Sequence, residues 1–254
     1  MSDEEPVFMF EGDDPDMHVA AREARSTFKF FWRELSWEWR RIVPAIDIAM
    51  IKLPFTDGVG AESPNQGEHM WVDKVDFDGQ RLTGVLVNSP RWLKSVKDGD
   101  PVNVPFAHLE DWLMTSGDTA FGGYTVNVMR RKMSAEEMET HDEAWGLDFG
   151  DPFQVRLQEH DIQKHEGHVD HPMCTNTIES LRKHVQENPG FVADVDETGW
   201  AELHRESLAG NLASVKLLVE HGADPRTKTR HGLNAIELAR ALAWEEVAAY
   251  LESA

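Results

Sequence analysis

Apolar residues recur at three- and four-residue steps near the start of the chain: Met17, Ala21, Ala24, Phe28, Phe31, Leu35, Trp39 and Ile42, with Trp32 beside them. That spacing lines one face of a helix. Phe30 and Trp37 fall on a different face, so the helix is apolar on more than one side and should be substantially buried. Pro44 ends it. Rings at such spacing fill cores more often than they cage ligands.

After Pro44 the period shortens to two. "AIDIAMIKLPF" alternates and is rich in branched side chains. "HMWVDKVDFDGQRLTGVLVN" is a pair of alternating runs joined at Asp78-Gly79, a favoured hairpin turn. "GDPVNVPF" and "GGYTVNVM" predict two further strands, and His108 to Met114 a strand or a short helix. In "SAEEMETHDEAW", Ser134 and Glu137 form a capping-box pattern for a helix start. The prediction is an α+β fold: an antiparallel sheet domain with a long N-terminal aromatic helix in front and a shorter helix behind.

The helical period returns in "GWAELHRESLAGNLASVKLLVEHGAD". Val215, Leu217 and Leu218 supply an apolar face, Gly210-Asn211 turns one helix into the next, and Gly222 stops the second. Gly199 and Gly232, like Leu203 and Ile236, stand 33 residues apart. This pattern resembles the ankyrin repeat. "TIESLRKHVQENPGFVADVDETG" resembles the second helix and finger of an incomplete earlier repeat, and "HGLNAIELARALAWEEVAAYLESA" a degenerate later one. So short a stack buries its faces poorly by itself and is expected to pack on the domain before it. Two departures stand out. Ala201-Glu202 replaces the usual Thr-Pro, and Glu206 occupies the slot of a small packed alanine. The expected reading of Glu206 is an exposed, edge-facing slot; the alternative is an ion pair across domains or to a partner. The resemblance implies a binding surface on finger tips and inner helices, here Asp194 to Thr198, Arg226 to His231, and Arg205 with Glu206. Asp196, Arg205, Glu206, Arg226, Lys228 and Arg230 are its candidate partner-binding residues.

"AMIKLPFTDGVGAE", "EHMWVD", "LTGVLVNSP", "KDGDPVNVPFAHLEDWL" and "GGYTVNVMRR", spread over about residues 46 to 131, resemble an uncharacterised bacterial domain family of the YegJ type. That resemblance implies a fold and brings no established reaction. Some related small domains resemble immunity or partner-binding proteins. The expected organisation is an acidic flexible leader at 1–14, the α+β domain at 15–155, a His-rich linker at 156–172, and about two and a half repeats at 173–254.

Charge narrows the functions. The net charge is -21 and both halves are acidic, which argues against a phosphate-backbone binder. No apolar run approaches the ~20 residues of a membrane span. The acidic start lacks the basic flank of a secretory signal. Cys174 is the single cysteine, so no intrachain disulfide forms and a reducing cytoplasm is expected.

The chain has no G-x-S-x-G elbow and no P-loop. The polar loop "TDGVGAESPNQGEHMW" carries Asp57, Glu62, Glu68 and His69. Asp57 and His69 are candidates for an acid/base pair or a partner contact; otherwise Asp57-Gly58 is a turn and His69 begins a strand. "HEGHVDHPMC" places His165, His168, His171 and Cys174 at steps of three. The types and number suit zinc, with His160, Asp161 and Asp170 as alternatives, but one continuous run must fold back on itself to surround an ion. A linker is the expected reading. Together these features predict a non-catalytic cytoplasmic module that binds another protein, without cofactor, as a monomer or weak dimer. An enzyme at Asp57 and His69 and a metal-responsive protein are the alternatives.

Overall fold

The first helical pattern forms α1, Pro15–Glu38, in a computed structural model that describes residues 14–58, 67–162 and 168–254. The expected leader at 1–14, Glu62 and His165 lie outside the described residues, apart from Asp14. Proline suits the first position of a helix, where its missing N–H costs nothing. The helix stops short of Ile42. The N–H groups of Arg40 and Arg41 bond back only three residues, to Trp37 and Glu38, closing a tight last turn. Pro44 then disfavours helical backbone at the residue before it. Trp39, Ile42 and Val43 are therefore exposed rather than buried on the helix face.

The chain divides into two compact units that interleave along the sequence. One holds the residues up to Thr27, Pro44–Asp76 and Leu82–Arg156; the other holds Phe28–Val43, Phe77–Arg81 and Leu157–Ala254.

In the first unit the described residues form a six-stranded antiparallel sheet. Its strands are β1 (Ile48–Phe55), β2 (Glu68–Phe77), β3 (Arg81–Leu86), β4 (Pro101–Pro105), β5 (Asp111–Ser116) and β6 (Thr119–Gly122), in the order β4-β3-β2-β1-β5-β6. Ile51 stands opposite both Val72 and Trp112, and Leu53 opposite Met70. Alternation puts these side chains on one face, where Trp112 Nε1–H donates to Ala24 O at 3.1 Å on α1. On the other face Trp71, Leu113 and Ala120 pack with Val126, Leu147 and Phe149. Two helices supply that cover, α2 (Tyr124–Arg130) and α3 (Ala135–Trp145). Ser134 and Glu137 make the expected capping box, with bonds of 3.3 and 2.7 Å.

The run "GGYTVNVM" is helix, not strand. Its branched residues read as β, but Gly122 and Gly123 both have positive φ and break the extended chain. A Cβ on Gly122 would sit 2.3 Å from Trp112 O, so no other residue fits. The helix start is then held by Asp111. Its carboxylate accepts the N–H of Tyr124 at 2.9 Å, and the N–H and hydroxyl of Thr125 at 2.7 Å each. A cap supplied from another strand outweighs local propensity.

The second unit contains a short helical turn α4 (Glu159–Ile162), then α5 (Pro172–Glu187), α6 (Glu202–Ala209), α7 (Leu212–Glu220), α8 (Ala235–Ala241) and α9 (Glu245–Ser253). α5 and the 3₁₀ turn Pro189–Ala193 stand as the outer helix and finger base of the incomplete repeat. Pairs α6–α7 and α8–α9 are the next two. Gly210 turns α6 into α7 at φ +73°, directly against the Trp244 indole. His204 locks one finger to the next: its Nδ1 accepts the Ala201 N–H, and Nε2–H donates to Thr227 O at 2.8 Å.

These repeats do not form a unit alone. The second half of α1 lies within it, with Phe28 and Trp32 edge-on to Phe77 from the β2–β3 tip. Trp37 Nε1–H reaches Asn211 Oδ1 at 3.4 Å, and Lys29 lies over the Trp244 ring. α1 thus packs against Asn211 and Trp244, the residues that precede α7 and α9.

Candidate functional site

Every residue of α1 from Phe31 to Trp37 is buried, charged ones included. Arg33 pairs with Asp161 and donates to Val169 O at 2.9 Å. Glu34 Oε1 meets Nε2 of His160 at 2.6 Å and Nε2 of His171 at 2.8 Å, while Arg41 lies 3.4 Å from Oε2. Burial pushes the Glu34 carboxyl up, but the hydrogen bonds of His160 and His171 outweigh it and bring it down to about 2.

Glu34, His160 and His171 are, among the described residues, the group whose ligand atoms come within 4.8 Å of one another. The types match a two-histidine, one-carboxylate centre. The hydrogen bonds point elsewhere. His171 caps α5 by accepting the Met173 N–H on Nδ1 at 3.0 Å. Nδ1 therefore carries no proton, and in the neutral ring Nε2 does, aimed at Glu34. A metal on Nε2 would have to expel that proton and, for a neutral ligand, give up the cap. With Arg33 and Arg41 adjacent, the cluster is built as a buried hydrogen-bonded junction.

The described members of the histidine-cysteine run, His168, His171 and Cys174, are not gathered as one ligand set. His168 lies 3.3 Å from Asp170 and edge-on to Trp244. Cys174 is buried with Sγ 3.3 Å from Ser214 Oγ, and burial pushes its thiol up to about 11. Among the described residues of the run, His171 alone joins a ligand set. Glu34 was missed by sequence reading; its one signal is a carboxylate inside the apolar run "FFWRELSW".

Glu206 corrects a second expectation. It is 1% exposed and pairs with Arg40, which also lies 3.3 Å from Glu202 and stacks on Trp37. The slot is filled from α1, so Glu206 presents nothing to a partner. Its Oε2 has no hydrogen-bond partner among the described residues. Burial, then the adjacent Glu206 charge, raises the Glu202 carboxyl to about 7.

Asp57 and His69 are not brought together as a pair. Asp57 accepts the N–H groups of Lys94 and Ser95 at 2.9 Å, which organises a turn. His69 lies in β2 and contacts Glu110 at 2.5 Å. Glu68 likewise accepts three backbone N–H groups, from Arg91, Trp92 and Leu93. These side chains hold loops.

The fingers differ in character from these clusters. Asp194, Asp196 and Glu197 are exposed on one; Arg226, Lys228 and Arg230 are exposed on the next. Asp196 is spent locally: it accepts the N–H groups of Thr198 and Trp200 and pairs with Arg205, whose guanidinium lies over Trp200. No ion pair among the described residues uses Arg226, Lys228 or Arg230, though His231 beside them lies 3.3 Å from Asp78.

A family of uncharacterised proteins conserved in bacteria, DUF2314, matches residues 14–149, more than half of the sequence. The chain belongs to the DUF2314 family. This DUF2314 protein is 41% identical over 247 residues to a putative ankyrin repeat protein of Neisseria meningitidis serogroup B, covering 97% of this chain and 96% of the relative. It is 28% identical over 93 residues to the uncharacterized protein YegJ of Escherichia coli K12, covering 37% of this chain and 57% of YegJ. It is also 32% identical over 76 residues to human protein phosphatase 1 regulatory subunit 27, covering 30% of this chain and 49% of that protein. The DUF2314 match covers α1 and the whole sheet, and among the described residues no helix is long and apolar enough to cross a membrane.

Proposed function

We propose that this DUF2314 protein is a non-catalytic module that binds another protein through its two charged ankyrin fingers. One observation carries the reading. The buried charges of the repeat unit are occupied inside it, Glu34 by histidines and Glu206 by Arg40, whereas Arg226, Lys228 and Arg230 project without ion pairs among the described residues. Ordering long cationic side chains on a loop contributes little to folding. The ankyrin-repeat name of the near full-length relative supports a protein-interaction role. The residues considered for catalysis, Asp57 and His69, serve separate turns and pairs, which favours binding over chemistry. An adaptor or immunity-like role, in which the module masks a partner, is the concrete form of this reading.

The test is affinity capture by the full chain, comparing wild type with variants reversed at each finger: D194K/E197K and R226E/K228E/R230E. A partner retained by wild type and lost by at least one variant is expected. Identical capture by all three overturns the reading.

A further inference from the structure

The basic finger narrows the class of partner. In a chain of net charge -21, three cations fall within the five residues Arg226 to Arg230. Thr229 is 4% exposed and so turned inward, with its N–H bonded to Leu233 O at 2.9 Å. Its neighbours Lys228 and Arg230 are both exposed, and Lys228 bridges to Asn234 in antiparallel fashion. Arg230 follows directly in the turn closed by Gly232 N–H and Thr229 O at 2.9 Å. Arg226 adds a third charge at the turn closed by Thr227 N–H and Asp224 O.

The finger is also held in place. A Cβ on Gly199 would lie 3.1 Å from Arg230 N and 3.2 Å from its Cγ, so the Arg230 stem packs tightly on the neighbouring finger. His231 and Asp78 tether the far side. The cations therefore stand on a positioned backbone, and less ordering entropy is lost on binding than from a loose loop.

We infer that the basic finger docks an acidic, extended segment of the partner protein, whose carboxylates face Arg226, Lys228 and Arg230. The inference rests on the reading that the fingers meet a protein. The net charge of the chain repels such a segment at a distance. At physiological salt that repulsion is screened beyond about 8 Å, so attraction is local and register-dependent. Asp194 and Glu197 on the adjacent finger exclude carboxylates there and set the side on which the segment lies.

The experiment is fluorescence anisotropy with the full chain and a labelled decapeptide alternating glutamate and serine. The wild type is expected to bind more tightly as salt falls, and R226E/K228E/R230E to bind at least about tenfold more weakly. K94E/K97E/K183E makes the same change in net charge at exposed positions elsewhere and should leave the affinity within about twofold. Circular dichroism on each variant confirms folding. No binding by wild type, or equal loss in both variants, overturns the inference. So does tighter binding of a single-stranded DNA of the same charge, which would make the finger a phosphate-backbone site. If the peptide fails while D194K/E197K still loses a captured protein, the acidic-partner inference falls alone. If neither finger affects capture, the reading beneath it falls as well.

Discussion

Asp111 in the sheet unit and Glu206 in the repeat unit are both almost completely buried carboxylates, yet they are accommodated in opposite ways. Asp111 is surrounded by donors that belong to the fold itself: the N–H groups of Trp112, Tyr124 and Thr125, and the Thr125 hydroxyl. Glu206 has one strong partner, the side chain of Arg40, and an oxygen with none among the described residues. The first carboxylate defines local backbone and starts a helix. The second joins segments far apart in sequence. Burial alone therefore does not say what a charged residue is for; the origin of its donors does.

The largest effect is expected at Asp111. Asp111→Ala strips the cap from α2 and leaves buried N–H groups unsatisfied, costing at least about 3 kcal/mol. Denaturant unfolding monitored by tryptophan fluorescence measures it, and a loss below about 1 kcal/mol would erase the distinction between the two carboxylates. Next comes the Arg40–Glu206 pair. Arg40→Ala leaves Glu206 buried and uncompensated, and should cost about 2–3 kcal/mol, less than a fully buried pair because Arg40 is partly exposed. Glu206→Ala removes the charge and restores the small residue usual in the repeat, and should stay within about 1 kcal/mol of wild type. The asymmetry between the two substitutions is the informative result; equal losses would make the pair an ordinary stabilising salt bridge.

The smallest expected effect is in pH dependence. The Glu34 carboxyl is lowered to about 2, so its contribution is in place above the ordinary 4.5 and is lost as pH falls towards 2. The Glu202 carboxyl is raised to about 7, so its contribution is complete below 4.5 and disappears as pH rises through about 7. Between 4.5 and 7 the Glu34 contribution is complete, and that of Glu202 declines. Glu202→Gln should therefore flatten the fall in Tm across this interval while leaving the acid limb unchanged. A variant with the same profile as wild type would show that Glu202 titrates as an exposed glutamate.

What was legible in the sequence follows the range of the interactions. The face of α1, the Asp78-Gly79 hairpin, the Ser134–Glu137 capping box and the 33-residue repeat arise from neighbours a few residues apart, and periodicity reports them. α2 reads as strand in the sequence because its cap comes from Asp111 on β5, 13 residues before Tyr124. Glu206 reads as exposed in the sequence because Arg40 is 166 residues away. The histidine run suggested a ligand set because its members are close in sequence, but His171 turns to Glu34, 137 residues earlier. For candidate binding residues, a side chain in an exposed finger was legible as exposed; whether its charge is already used depends on long-range partners.

One consequence concerns modular inheritance. The sequence presents a DUF2314 region and a repeat region as successive cassettes, with the obvious cut near residues 156–172. The packing does not respect that cut. Phe28, Phe31, Trp32 and Phe77 precede it and belong to the same compact unit as the repeats that follow. Recombination at the apparent seam would transfer the repeats without the rings that complete them. The two modules of this chain have to be exchanged, and to diverge, together.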